Sequence, residues 1–251
     1  MVVLDAENLV KVYKGGDKSN FTRALNGIEL KVEEGEFVAI MGPSGSGKTT
    51  LLNVLSGIDR VYEGKIHISG ASIHEMSGDE LALFRRRRLG FVFQEFNLLD
   101  SLTLRENIML PMILDHKGVA EMSEKTDKVM SMLDINDITD KYPYAVSGGQ
   151  QQRTAICRAV INDPDIVFAD EPTGNLDSKS SKAVMKCFER LNSLNHSTIL
   201  IVTHDAFAAS YCNRVIFIKD GLVHMEIAKK GERKEFFDHI LESLAIVGGD
   251  L

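Results

Sequence analysis

Apolar residues fall into short runs toward both ends of the chain, and these runs predict β-strands. Residues 9–13 alternate between two faces, as in a half-buried strand, whereas Phe37–Met41 is apolar throughout, as in a central parallel strand. Asp220-Gly221 lies between two further runs and predicts a hairpin turn. The predicted strands are residues 9–13, 24–32, 37–41, 166–169, 199–203, 215–219 and 222–227.

The middle of the chain, from about residue 73 to residue 162, has a mostly helical pattern. Ser77 or Asp79 is a candidate N-cap for one helix, and Thr103 is a candidate N-cap for another. A block of about ninety residues far exceeds the crossover of a plain βαβ unit, which takes about 30 residues in all. We therefore expect an α/β nucleotide-binding core with an inserted helical subdomain. The predicted helices are residues 48–56, one ending at 88, one ending near 115, 121–133 and 179–194.

Composition is that of a globular protein, with 44% hydrophobic and 26% charged residues. A length of 251 residues suits one large α/β domain or two small ones. The 29 Lys and Arg residues against 36 Asp and Glu give a net charge of −7, which argues against a nucleic-acid partner.

The pattern predicts no membrane span and no targeting segment. The longest apolar candidate, residues 108–114, has seven residues and contains Pro111, whereas a span needs about 18. Residues 1–7 carry acids and lack the basic start of a signal or transit peptide, so we expect a cytosolic protein. The three cysteines fit neither a disulfide framework nor a zinc site, and we expect reduced thiols in the core.

Residues 42–49, Gly-Pro-Ser-Gly-Ser-Gly-Lys-Thr, match the phosphate-binding pattern G-x-x-x-x-G-K-[ST] between a predicted strand and a helix. Glycines let successive N–H groups point inward, and the helix start adds its positive end. Lys48 is expected to neutralise β- and γ-phosphate oxygens, and Thr49 to offer a hydroxyl to Mg²⁺. The candidate ATP-binding residues here are Gly42, Ser44, Gly45, Ser46, Gly47, Lys48, Thr49 and Thr50.

A pair of acids, Asp170 and Glu171, follows the predicted strand 166–169, at the edge where open α/β sheets bind ligands. We expect Asp170 to hold Mg²⁺ and Glu171 to take a proton from the attacking water. His204 follows the next predicted strand, so it is expected beside the same edge as a further catalytic residue.

Residues 146–153, Val-Ser-Gly-Gly-Gln-Gln-Gln-Arg, predict a second anion site, formed by the Ser147 hydroxyl and the N–H groups of Gly148 and Gly149, with Gln150 beside them. This segment resembles the signature sequence of the ATP-binding-cassette (ABC) ATPases, with Val146 in place of the usual leucine.

Other motifs match the same family in its order, between about residues 9 and 225. The resemblance implies that Tyr13 stacks on adenine and that Gln94 is the Q-loop glutamine, which serves catalysis and the Mg²⁺ site. It also implies that residues 175–177 form the D-loop, whose Asp177 contributes to the ATP site, and that His204 is the switch histidine.

The resemblance further implies a P-loop NTPase core with a mostly parallel central sheet, an N-terminal antiparallel β part and an inserted helical subdomain. Residues 1–226 would form the ATPase domain, with the insert at about 90–162, and residues 227–251 a C-terminal helical tail. The family implies a head-to-tail homodimer, in which the phosphate loop of one subunit and the signature of the other enclose each ATP.

Within this family the energy of ATP is delivered to a separate transmembrane permease, so the chain is expected at the cytoplasmic face of the membrane. Several stretches, especially residues 209–221, resemble the ATPases of bacitracin-type antimicrobial-peptide resistance transporters, relatives of lipoprotein-releasing and macrolide-export ATPases. The apolar run 96–99, with Leu102, Leu104 and Ile108, either receives a coupling helix of the permease or packs in the core.

Several alternatives stay open at this stage. Tyr13 closes a strand and is equally suited to edge packing, and Asp177 is equally suited to capping a helix. The arginine run 85–88 indicates either a solvated helix end or an anionic partner, and the tail packs on its own core or across a dimer. Rival functions are a soluble ATPase of DNA repair or translation, a lipoprotein-release or cell-division ATPase, and a low-turnover ATP-gated clamp.

Overall fold

Two β-sheets form the frame of the chain, whose computed structural model describes residues 1–14 and 21–248. The first sheet is antiparallel and has the order β2-β1-β4-β5. Its strands are β1 (Val2–Lys14), β2 (Phe21–Glu33), β4 (Glu63–Ile68) and β5 (Ala71–Ser72).

The second sheet has six strands in the order β10-β9-β3-β8-β7-β6 and is parallel except for the pair of β9 and β10. The pair of β9 and β10 is the hairpin that Asp220-Gly221 predicts. All residues of β3 and β8 are buried, because elements cover both faces of this sheet. Its strands are β3 (Phe37–Met41), β6 (Leu89–Val92), β7 (Ile166–Asp170), β8 (Ile199–Val202), β9 (Arg214–Lys219) and β10 (Leu222–Ala228).

Eight α-helices accompany the sheets in the described residues. Ser77 and Thr103 cap two of them with reciprocal side-chain bonds to the residue three positions on, which confirms Thr103 and selects Ser77 over its alternative Asp79. The helices are α1 (Lys48–Leu55), α2 (Gly78–Arg88), α3 (Leu104–Leu114), α4 (Val119–Met132), α5 (Gly148–Val160), α6 (Ser178–Asn195), α7 (Ala206–Ala209) and α8 (Arg233–Gly248).

The six-stranded sheet separates two hydrophobic clusters. On one face, Val38 and Ile40 pack with α1 and the antiparallel sheet. On the other, Phe37, Ala39 and Met41 pack with the helices of the middle and the end of the chain. The mostly parallel sheet, the antiparallel N-terminal part and the α/β class are thus as the sequence predicts.

Helix α8 settles a question that the sequence left open, because it packs on the core of its own chain. Phe236, Ile240 and Val247 are buried in the same cluster as Phe37. Within the described part of the chain, no helix is long and apolar enough to cross a membrane. The three cysteines are buried, and burial raises the pKa of Cys187 to about 11.

The structure corrects the sequence reading at three places. The sequence does not predict β4 and β5. It predicts only residues 9–13 of β1, because register shifts interrupt the alternation along the rest of this strand. Strand β6 pairs with β7 in the central sheet, so residues 89–92, near the predicted start of the helical insert at about residue 90, form a strand.

The arginine run 85–88 connects α2 to other segments of the chain by hydrogen bonds. All four guanidinium groups hydrogen-bond to protein acceptors, two to backbone carbonyls and two to carboxylates, while Arg86, Arg87 and Arg88 remain exposed, as expected for a solvated helix end. The contacts are Arg85 to Gly57 O at 2.7 Å, Arg86 to Leu114 O at 2.9 Å, Arg87 to Asp115 at 2.6 Å and Arg88 to Asp165 at 2.8 Å.

Candidate nucleotide-binding and hydrolysis site

The loop between β3 and α1, residues 42–47, has a backbone suited to an anion. Gly47 has a φ of 100°, and a Cβ there would lie 2.6 Å from the carbonyl oxygen of Ala24, so the position requires glycine. Because Gly47 provides no side-chain cap, the first N–H groups of α1 are available to a ligand. The Ser46 hydroxyl is buried and lacks a hydrogen-bond partner among the described residues. A phosphate oxygen bound in the loop would satisfy it.

Lys48 lies inside this loop. Its ammonium donates hydrogen bonds to the carbonyl oxygens of Gly42 and Pro43, both at 2.9 Å. Burial lowers the pKa of Lys48, while the nearby charges of Glu171 and Asp170 act in the opposite direction. The result is a partly desolvated cation between the loop and two carboxylates, where an additional anion would be stabilised.

Thr49 and Asp170 bring two oxygen ligands together at the sheet edge. The Thr49 hydroxyl donates to Oδ1 of Asp170 at 3.4 Å. Burial raises the pKa of Asp170, and the neighbouring Glu171 raises it further, against smaller opposing effects of Thr49 and Lys48. A hydroxyl and a carboxylate are ligands that suit Mg²⁺, which keeps several waters and shares phosphate oxygens. The residues present therefore fit this metal.

Glu171 and His204 meet beside the loop. Nδ1 of His204 lies 2.9 Å from Oε1 of Glu171, and the backbone N–H of His204 donates to the same carboxylate at 3.4 Å. Glu171 has a φ of 43°, a strained conformation of the kind found at functional sites. Both line a cleft of about 480 Å³ with the phosphate loop and with Leu244, Val247 and Gly248 of α8.

The segment 147–150 forms a second helix start, at α5. Ser147 and Gln150 make a capping box: the Gln150 N–H donates to the Ser147 hydroxyl at 3.3 Å, and the Ser147 N–H donates to Oε1 of Gln150 at 2.9 Å. A Cβ on Gly149 would lie 2.9 Å from the side chain of Ser180, and one on Gly148 would lie 3.2 Å from Leu176. Among the described residues that line the cleft beside Lys48, none comes from this turn.

Comparison with known proteins identifies the family of the chain. A sequence model described as "ABC transporter" matches residues 25–174, more than half of the chain. The chain belongs to the ABC transporter family. It is therefore an ABC ATPase, which uses ATP, and the resemblance stated from its motifs is confirmed.

Among similar proteins is an uncharacterized ABC transporter ATP-binding protein, YvcR of Bacillus subtilis, 52% identical over 100% of this chain and 96% of its own length. The bacitracin export ATP-binding protein BceA of Halalkalibacterium halodurans is 50% identical over 99% of this chain and 98% of its own. A dimeric structure of MJ0796 bound to ADP and Pi has a TM-score of 0.82 at 39% identity, covering 91% of this chain and 100% of that one. MJ0796 comes from Methanocaldococcus jannaschii.

In this ABC ATPase, Gln94 lies beside the segment predicted as the D-loop. Its side-chain amide donates to Oδ1 of Asn175, and Nδ2 of Asn175 donates back to the Gln94 carbonyl, both at 3.2 Å. The hydrogen bond of the Gln94 side chain thus runs to Asn175 rather than to Thr49 or Asp170. Its predicted roles in catalysis and at the Mg²⁺ site stay predictions.

Asp177 and Tyr13 make contacts that bear on their open alternatives. Asp177 caps α6 through the N–H groups of Lys179 and Ser180, and the hydrogen bond from the Ser180 hydroxyl lowers the pKa of Asp177. Capping is therefore one function of Asp177. Tyr13 is 40% exposed and its hydroxyl donates to Oδ2 of Asp59 at 2.9 Å, so its ring is not packed into the core.

Two residues that support the site were not singled out from the sequence, Gln152 and Asp59. Gln152 is fully buried on α5, and its amide donates to the carbonyl oxygens of Pro172 and Phe93 at 2.7 and 3.3 Å. A polar residue at a position of helical spacing with Ala155 and Ile156 is the signal that could have identified it. Asp59 carries no comparable signal in the sequence.

Proposed function

We propose that the chain hydrolyses ATP with Mg²⁺ as one half of a head-to-tail homodimer that drives a separate transmembrane permease in antimicrobial-peptide resistance. The observation that carries the proposal is that the two predicted anion-binding helix starts do not share one cleft. The phosphate loop opens into the cleft with Glu171 and His204, whereas the Ser147 turn does not line that cleft. A second copy of the chain would thus complete each ATP-binding site.

The residues of the phosphate loop and of the sheet edge beside it have different roles in ATP hydrolysis. The loop N–H groups and Lys48 would bind the β- and γ-phosphates, and Thr49 and Asp170 would hold Mg²⁺, which would supply neutralising charge to the phosphate oxygens. Glu171 accepts a proton from the attacking water, and its contact with His204 orients the carboxylate.

The dimer is tested with Glu171→Gln, which keeps the shape of the side chain and removes the base. We expect this variant to bind ATP, to lose at least about 100-fold in turnover, and to elute as a dimer when ATP and Mg²⁺ are present. Adding Ser147→Arg to it should abolish the dimer while ATP binding remains. A particle of 27.8 kDa by light scattering at saturating ATP, or retained turnover in Glu171→Gln, would contradict the proposal.

An apolar groove near Gln94 supports docking of a permease at this side of the molecule. It has a volume of about 400 Å³ between β6, α2 and α3. Leu104 and Ile108, which the sequence offered as docking residues, are fully buried, so core packing is the correct interpretation for them. The apolar residues that line the groove are Leu89, Phe91, Phe93, Leu110, Pro111, Leu114 and Ala159.

Cross-linking tests the docking surface. We expect cysteines placed at Glu95 or Asp100, in the segment between the groove-lining Phe93 and α3, to cross-link to the permease in membranes of the native organism, whereas a cysteine at exposed Lys65 of β4 does not. Equal labelling from all three positions, or labelling only between copies of this chain, would argue against docking at this surface.

The likeness to the bacitracin export protein BceA over nearly the whole chain supports a role in peptide resistance, and membership of the ABC transporter family supports a location at the cytoplasmic face of the membrane. Loss of the gene should then increase sensitivity to bacitracin-type peptides. The same site would also serve a lipoprotein-release or cell-division complex. Unchanged sensitivity to these peptides would favour that alternative. A low-turnover clamp has less support, because it could dispense with the Glu171 carboxylate.

A further inference from the structure

Tyr13 is connected by hydrogen bonds to the segment that follows the phosphate-loop helix. Its hydroxyl donates to Oδ2 of Asp59 at 2.9 Å, and the Lys11 ammonium donates to the other carboxylate oxygen, Oδ1, at 2.6 Å. Lys11 also donates to the carbonyl oxygen of Arg60 at 2.7 Å. One carboxylate thus connects two residues of β1 to the chain after α1.

Asp59 is itself held against α1. After Gly57 the chain folds back, and the N–H of Asp59 donates to the carbonyl oxygen of Asn53 at 3.0 Å. The hydroxyl of Tyr13 is therefore fixed relative to the helix whose first residues are Lys48 and Thr49. Any molecule that contacts the tyrosine ring and the phosphate loop together would meet two surfaces at a set separation.

The charges in this network are strongly coupled. Lys11 is only 9% exposed, so its ammonium needs a partner. Burial acts to raise the pKa of Asp59, but the hydrogen bonds from Lys11 and Tyr13 outweigh it and the pKa is lowered. Asp59 is thus ionised at neutral pH and is a strong acceptor for the phenol.

Lys11 also occupies one side of the tyrosine ring. Its ammonium lies 5.0 Å from the ring centroid, within the range of a cation–π contact. The ring is nevertheless 40% exposed, which leaves surface for a planar group. Stacking of a base on such a ring contributes more affinity when the ring is already held in place, because less conformational freedom is lost on binding.

We propose that Asp59, fixed by Lys11, is a positioning residue for Tyr13, and that it holds the ring in the orientation in which the adenine of ATP stacks. This inference rests on the proposed function, in which Tyr13 contacts the base. The hydrogen bonds of Asp59 among the described residues run to Lys11, Tyr13, Arg60 and Asn53 and not to the phosphate loop, so we expect it to affect the adenine part of ATP alone.

The test compares binding of ATP with binding of inorganic tripolyphosphate, which lacks the base, to the full chain with Mg²⁺. Tyr13→Ala should weaken ATP binding about tenfold and leave tripolyphosphate binding unchanged. Tyr13→Phe keeps the ring and removes the hydroxyl, which bonds to Asp59 and also interacts with the side chain of Thr50, whereas Asp59→Ala removes the acceptor alone. Each should weaken ATP binding about three- to tenfold with tripolyphosphate unaffected.

The double variant of Tyr13→Phe and Asp59→Ala should be no weaker than the weaker single variant, because both remove the same contact. Tyr62→Phe, at an exposed tyrosine three residues after Asp59, is the matched control and should bind both ligands normally. If Asp59→Ala fails to fold, Tyr13→Phe alone decides.

The possible failures are distinguishable. If Tyr13→Ala weakens ATP binding but Tyr13→Phe and Asp59→Ala do not, the ring stacks without help from Asp59 and the inference is wrong. If Tyr13→Ala has no effect, the base does not stack on Tyr13, and that part of the proposed function fails. A parallel loss of tripolyphosphate binding in Asp59→Ala would indicate a disturbed α1 and would also overturn the inference.

Discussion

Replacing Gln152 with leucine tests whether one buried side chain holds three parts of the site together. Gln152 lies on the helix that starts at Ser147, and its amide donates to Phe93, which precedes Gln94, and to Pro172, which follows Glu171. Leucine has a similar volume, so the substitution removes these two bonds and leaves the packing largely intact.

The expected change in the free energy of unfolding follows from the polar atoms that lose or change hydrogen-bond partners. Two hydrogen bonds of about 1 kcal/mol each are lost, and two carbonyl oxygens are left with less solvation. Against this, Oε1 of Gln152 is buried with no hydrogen-bond partner among the described residues, and its removal recovers about 1 kcal/mol. We expect the free energy of unfolding to fall by about 1–3 kcal/mol and the Tm by about 3–9 °C.

Calorimetry and steady-state ATPase assays measure the two consequences. Turnover should fall more than ATP affinity, because the segments of Gln94 and Glu171 shift while the phosphate loop is untouched. Gln151→Leu is the matched control, since Gln151 makes only a long 3.4 Å bond to the carbonyl of Val146. A Gln152→Leu protein that unfolds at the wild-type temperature with wild-type turnover would refute the reasoning.

Two other predictions concern charge at the phosphate loop. Lys48→Ala should abolish ATP binding, because the ammonium is the cation inside the loop; a titration with Mg²⁺ that gives unchanged affinity would contradict this. Asp170→Asn should unfold at a higher denaturant concentration than the wild type at pH 7, because the raised pKa of Asp170 means that its ionised form costs stability there. That advantage should disappear as the pH falls through the raised pKa of Asp170 toward 3.8, the ordinary aspartate value, and an advantage independent of pH would contradict the assignment.

The sequence predicts the elements whose signal is local. The apolar run of β3, the caps at Ser77 and Thr103 and the hairpin turn at Asp220-Gly221 are each specified by neighbouring residues. β4 has only two buried apolar residues, Ile66 and Ile68, among polar ones, so its pairing with β1 decides its structure.

The sequence does not predict β6 either, for a related reason. Its four residues directly follow the arginine run of α2, so they extend a helical pattern until the pairing with β7 is known. At the site, the phosphate loop and the acids at 170 and 171 follow from motif and strand position. The contact of Tyr13 with Asp59, and the end of α8 at the cleft, join residues far apart in sequence and required the fold.

Two of the four contacts of the arginine run, those of Arg86 and Arg87, hold the same place, the end of α3. Both are at the surface, where a single ion pair contributes about 0–1 kcal/mol, so the loss of one arginine leaves the other attachment in place. Substitutions at these positions should therefore be tolerated singly and become costly in combination, since the remaining contacts lose the geometry that they share. Random mutagenesis that samples one change at a time would score this run as dispensable, and only paired substitutions would reveal that the end of α3 depends on it.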